Sequence, residues 1–159
     1  MSELKKQINY AVVCVNEFAK THNLTAKSAF QYLYQNKAIE FIKENYAIEH
    51  TLSIADAIED MGMICRNNGG QDHFAYTEGK DRTVTRQEQL IEYVTQDLIE
   101  LIVMNQKVEY DEAMNLLYNS ETFDKLSDVE TGLYCESPAY VYGIFQGEQN
   151  FGKIVQAEL

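Results

Sequence analysis

The sequence is almost without proline: only Pro138 occurs in 159 residues, and tryptophan is absent. Lacking the commonest helix breaker, a chain with ordinary hydrophobic and charged fractions of 45% and 24% is expected to be mostly helical. Cysteine is scarce as well. Cys14, Cys65 and Cys135 are odd in number and far apart. That excludes a disulfide scaffold and fits no zinc spacing. Each sits in an apolar stretch, so each is expected to be a small buried hydrophobe. No apolar run approaches the roughly 20 residues that a membrane span requires. Met1 to Lys6 runs straight into an amphipathic segment without a leader pattern, which places the chain in the cytoplasm as an expectation.

Catalytic signatures are missing too. There is no glycine-rich phosphate loop and no nucleophile elbow. His22, His50 and His73 fall in no H-x-x-x-H or E-x-x-H spacing, so a helical metal site has no support. His22 reads as a helix end and His50 as a turn residue. His73, beside Asp72, is the one candidate for a functional histidine. Asp128, Glu130 and Gly132 lack the spaced ligands and terminal glutamate of a calcium loop. Carboxylates are many, but solvated helix faces account for them better than an acid–base pair across a cleft. The expectation is a non-enzyme with no metal and no cofactor.

Cations are missing from the second half. Met1 to Arg86 holds 11 acidic and 10 basic residues, a net of −1, whereas Gln87 to Leu159 holds 14 and 3, a net of −11. Such a field repels nucleic acid and anionic membranes and favours basic partners.

What is present is helical periodicity. Ile8, Val12, Val15 and Ala19 make one stripe on a helix from about Leu4 to His22. Thr25 caps a second helix carrying Ala29, Phe30, Leu33 and Tyr34. A third holds Ile39, Phe41 and Ile42. Ser53, with Asp56 in a box-like pattern, caps a fourth with Ile54, Ala57, Ile58, Met61 and Ile64. Arg66 to Arg86 is polar, opens Asn67-Asn68-Gly69-Gly70 and contains Gly79; it reads as a connection, with a short irregular element at His73 to Tyr76. Thr85 and Glu88 box the start of a long helix to about Gln106. Its stripe is Leu90, Ile91, Val94, Leu98, Leu101 and Ile102, with Glu92, Gln96 and Glu100 on a polar face. Tyr110 to Tyr118 forms another helix, and Ser120 caps a turn containing Phe123 and Leu126. Asp128 to Gly132 is a turn. Ser137 caps a last helix, with Pro138 at its first position, Val141, Ile144 and Phe145 inside, and Gly147 as its expected stop.

The two runs match at a constant offset of about 84 residues. Val15 aligns with Ile99, Phe18 with Ile102, Leu24 with Val108, Ala29 with Ala113, Leu33 with Leu117 and Tyr34 with Tyr118. Ile39 aligns with Phe123, Ile42 with Leu126, Ser53 with Ser137 and Ala55 with Ala139. Val12 against Gln96 and Glu17 against Leu101 fail. Lys27 becomes Asp111 and Lys37 becomes Glu121, a kept core with a recharged surface. The fold class expected is therefore all-α: a tandem repeat of two small related helical bundles, residues 1–66 and 86–159, joined by a polar linker over 67–85.

Val13 to Ala19, Asn23 to Ala29, Tyr46-Ala47-Ile48-Glu49-His50-Thr51 and the acidic helix Ala55 to Asp60 carry a resemblance. Over roughly residues 5 to 65 the chain resembles a bacterial family of short helical proteins, domain-of-unknown-function family 3791. Members are often encoded beside proteins resembling ADP-ribosyltransferase toxins, which implies an antitoxin-like or toxin-associated role. The resemblance supplies no activity to transfer. The second half departs from it; Asp128 to Tyr142 resembles the tails of small bacterial proteins.

These readings converge on a protein-binding module, antitoxin-like or inhibitory, for a partner with a basic surface, such as a toxin encoded nearby. The expected contacts are Glu92, Glu100, Asp111, Glu112, Glu121 and Asp124, with Tyr140 and Tyr142 as anchors or, alternatively, core residues. A second reading is an acidic nucleic-acid mimic of the phage counter-defence type. A third is a small-molecule binder or enzyme. A helix-turn-helix over Val12 to Gln35 has suitable lengths, but its second helix offers only Lys27 as a cation, so direct nucleic-acid binding is disfavoured.

Overall fold

The computed structural model describes residues 1–71 and 84–154, and every regular element among them is helical. The chain divides into two compact units, Met1–Arg82 and Thr83–Leu159. No described helix is long and apolar enough to cross a membrane.

In the first unit, α1 (Glu3–Thr21) starts where Ser2 accepts a hydrogen bond from Lys5 N, and α2 (Ala26–Gln35) where Thr25 accepts one from Ser28 N. A tight turn through Lys37, at φ 68°, leads into α3 (Ala38–Glu44). One turn of helix, α4 (Tyr46–Glu49), follows, and Ser53 caps α5 (Ile54–Asn67) through Asp56 N. Helix α1 packs against α2, α3 and α5, and α3 also meets α2, α4 and α5. Ile8, Val12, Val15, Phe18, Phe30, Leu33, Ile39, Ile42 and Met61 fill the space between them and are buried. This is the expected stripe pattern, closed on itself.

In the second unit, Thr85 caps α6 (Arg86–Gln106) through Glu88 N. Helix α7 (Tyr110–Tyr118) and α8 (Glu121–Ser127, capped by Ser120) follow. Two 3-10 turns, Val129–Thr131 and Leu133–Cys135, lead to α9 (Pro138–Phe151), capped by Ser137. Helix α6 packs on α7, α9 and the Leu133–Cys135 turn, and α8 on α7, α9 and both turns.

Three local expectations are corrected. Gly147 does not stop α9; the helix runs on to Phe151, where Gly152 takes the left-handed conformation at φ 77° that a C-terminal stop requires. Gln96 does not lie on a solvated face. It is buried, with Glu92 and Glu100 half-buried, because α6 is covered on more than its apolar stripe. Cys135 is exposed rather than buried, while Cys14 and Cys65 are buried as expected. Cys135 closes a 3-10 turn whose inward position is taken by Leu133. Asp72, His73, Tyr76 and Gly79 lie outside the described residues.

Helix boundaries recur at the sequence offset. Adding 84 to the bounds of α1, α2, α3 and α5 reproduces those of α6, α7, α8 and α9 to within one residue. The left-handed residues that end α1 and α6, Asn23 and Lys107, both at φ 56°, stand at the same offset.

Candidate functional site

The second unit carries the expected contact residues on several elements. Glu92 and Glu100 lie on α6, half-buried. Asp111 and Glu112 occupy the first turn of α7, and Glu121 and Asp124 the first turn of α8. Glu112, Glu121 and Asp124 are exposed and Asp111 is half-buried. Four of the six thus sit at helix N-termini, where negative charge also stabilises the helix dipole by roughly 0.3–1 kcal/mol each. They serve the fold as well as any partner. The two tyrosines separate: Tyr140 is 45% exposed, whereas Tyr142 is buried beside Phe145, ring centroids 6.2 Å apart. Tyr93, Met104, Val129 and Phe151 add exposed apolar surface to the same unit.

Sequence reasoning passed over a second constellation, in the first unit. Glu49, the last residue of α4, is only 2% exposed. The side chain of Asp60, from α5, bears on it with the same sign of charge. Its carboxylate oxygen Oε1 is buried without a hydrogen-bond partner. Burial first, and then the like charge of Asp60, push the Glu49 carboxyl up to about 7. Tyr10 and Cys14 of α1 stand close by. The Cys14 thiol is pushed up to about 12, chiefly by burial, with the nearby Glu49 and Glu17 adding to the rise. Such a thiol stays protonated and inert. The Tyr10 hydroxyl is raised by the same burial, then by Cys14 and Glu49. Tyr46 crosses Tyr10 edge to face at 5.5 Å, and His50 stacks on Tyr46 at 4.4 Å. No local sequence signal marks Glu49; at the 84-residue offset stands Leu133, which is buried.

Among the described residues no group of three or more His, Cys, Asp or Glu side chains is arranged to hold a metal ion.

The first unit is also where a family is recognised. Residues 9–68 match the family model described as "Protein of unknown function (DUF3791)". The matched segment runs from the first half of α1 to the residue that caps α5, and so contains the whole Tyr10–Cys14–Glu49–Asp60 constellation. No curated protein and no solved structure matches the chain.

Proposed function

We propose that the chain is a non-catalytic, antitoxin-like protein-binding module of the cytoplasm whose second unit docks on a basic partner protein. The observation that carries this reading is the charge division, a net of −11 from Gln87 onward against −1 before it. Exposed Glu112, Glu121 and Asp124 supply the long-range attraction, which raises association rate and specificity more than intrinsic affinity. Exposed Tyr93, Tyr140, Met104 and Phe151 supply apolar area for the contact itself.

The two units are read here as copies of one fold that diverged in surface charge. Support comes from the recurring helix bounds and from shared packing: α1 meets α2 and α5 as α6 meets α7 and α9, and α3 meets α2 and α5 as α8 meets α7 and α9. Ala29 and Ala113, Leu33 and Leu117, and Val15 and Ile99 are buried in both copies.

The test is capture of the product of the neighbouring gene by wild type and by a variant carrying Asp111→Asn, Glu112→Gln, Glu121→Gln and Asp124→Asn, followed across a salt series. The variant is first shown to unfold cooperatively. Association should slow by about tenfold or more at low salt and lose its salt dependence. Equal rates for both proteins at every salt concentration would end the steering claim.

A further inference from the structure

A glutamate that is 2% exposed on a single helical turn calls for a reason, because an ionised carboxylate removed from water is costly unless paired. The charged group that bears on Glu49 is Asp60, which carries the same sign. The phenol of Tyr10 and the thiol of Cys14 face it from α1, and Tyr46 lies on its own turn. Helix α3, packed beside α4, carries Glu40, Lys43 and Glu44; these do not contribute to the shift at Glu49. Oε1 meets no donor. Leu133, 84 residues on, is buried.

We propose that α4 is a proton-held latch, closed against the first unit while the buried Glu49 carboxyl keeps its proton, and released when that proton leaves. Ionisation places two like charges at one site, one of them desolvated, and the cheapest relief is for the one-turn α4 to swing Glu49 into water. The released segment bears Ile48, already 66% exposed, and Leu52, 37% exposed.

The turn is held by backbone bonds that report on it directly: Glu49 N to Asn45 O at 2.9 Å, His50 N to Tyr46 O at 3.0 Å and Leu52 N to Glu49 O at 3.1 Å. Amide hydrogen exchange on the full chain, corrected for the intrinsic pH dependence of exchange, measures their protection. Protection of Glu49, His50 and Leu52 amides should fall by about tenfold or more between about pH 5 and about pH 8, while α2 amides hold. Carbon-13 carboxyl titration in the same protein should place the Glu49 step near neutrality. Glu49→Gln, which cannot ionise, should abolish the fall. Asp60→Asn should shrink it without removing it, because burial still penalises the charge. His50→Gln, which removes the ring stacked on Tyr46, is the control and should leave the fall intact. The latch is wrong if Glu49 titrates in the ordinary carboxylate range, if protection is flat with pH, or if the fall survives Glu49→Gln or vanishes in His50→Gln.

Discussion

Glu148 of α9 caps the start of α8 through Thr122. Its Oε1 accepts from Thr122 N at 2.8 Å and from Thr122 Oγ1 at 2.6 Å, while Oε2 accepts from Glu121 N at 2.7 Å. Ser120 Oγ takes the next amide, Phe123 N, at 3.0 Å. Three of the four amides that a helix leaves unpaired at its N-terminus are thereby satisfied, two of them by a residue from another helix. Charge-assisted bonds of this kind are worth about 1.5–3 kcal/mol, and Thr122 is fully buried. Glu148→Ala should destabilise the second unit by about 2–3 kcal/mol, and Glu148→Gln by roughly half as much, read as a lower urea midpoint at unchanged slope. A loss within error for the alanine variant would mean that this cap is replaced by water.

Caps that bond locally are legible in sequence, and those that reach across the fold are not. Thr25, Ser53, Thr85, Ser120 and Ser137 were readable as caps because each bonds a residue three positions on. The Glu148 cap reaches 26 residues back to Thr122, and no local pattern encodes it. Core stripes such as Ile8, Val12, Val15 and Ala19 were legible because one helix face decides them. Gln96 was not, because α7, α9 and the Leu133–Cys135 turn together cover α6 more widely than periodicity implies. Gly147 misled because glycine composition marks a stop only where a left-handed residue is needed, and Gly152 meets that need. No local pattern marks Glu49 as buried, because its burial depends on α1 and α5, which bring Tyr10 and Asp60 to it from distant sequence positions. The acidic bias of the second half was plain in the sequence, and the structure adds that four of its acids also cap helix dipoles.

Stability should depend on pH through Glu49. Its folded carboxyl is raised to about 7 from an ordinary value of 4.5. The folded state therefore binds the proton more tightly than the unfolded chain. The sign follows: this contribution is complete below the ordinary glutamate range and is lost as pH rises through about 7. Denaturation of the first unit should need less urea at about pH 8 than at about pH 5.5, and Glu49→Leu, copying the residue at position 133, should flatten that difference. A midpoint difference that persists unchanged in Glu49→Leu would assign the pH dependence to other groups.

Tyr142 offers a contrast in the other direction. It is buried, and its hydroxyl finds no hydrogen-bond partner among the described residues. An unsatisfied buried hydroxyl carries a desolvation cost that a phenylalanine of the same shape avoids. Tyr142→Phe should be neutral or stabilising by up to about 1 kcal/mol, with partner capture unchanged. Tyr140→Ala should leave the unfolding midpoint alone and weaken capture. The exchange of those two phenotypes would reverse the assignment of core and surface.

The three thiols should differ in reactivity. Cys135 is exposed, whereas Cys14 and Cys65 are buried, and Cys14 is held protonated near 12. The thiolate is the reactive form. A thiol reagent under native conditions should consume one equivalent rapidly and three after denaturation, with Cys135→Ser abolishing the fast phase. Rapid reaction of two or three thiols in the folded protein would contradict the packing of α1 against α5.

Gly70 tests how the first unit is closed after α5. Its amide donates to Cys65 O at 2.8 Å, folding the chain back over the end of the helix. A Cβ placed there would lie 2.8 Å from that same carbonyl oxygen, 2.7 Å from the Tyr32 hydroxyl and 3.1 Å from Asn36 Cγ. The tyrosine could swing aside, but the carbonyl belongs to α5 and cannot yield without unwinding its last turn. Overpacking of this kind costs about 1–3 kcal/mol. Gly70→Ala should therefore lower the urea midpoint of the first unit, while Gly69→Ala, where the space is open and φ is +88°, should cost about 1 kcal/mol from backbone strain alone. If both substitutions cost the same, conformational strain rather than steric contact governs this return, and the close approach of Gly70 to α5 loses its energetic meaning.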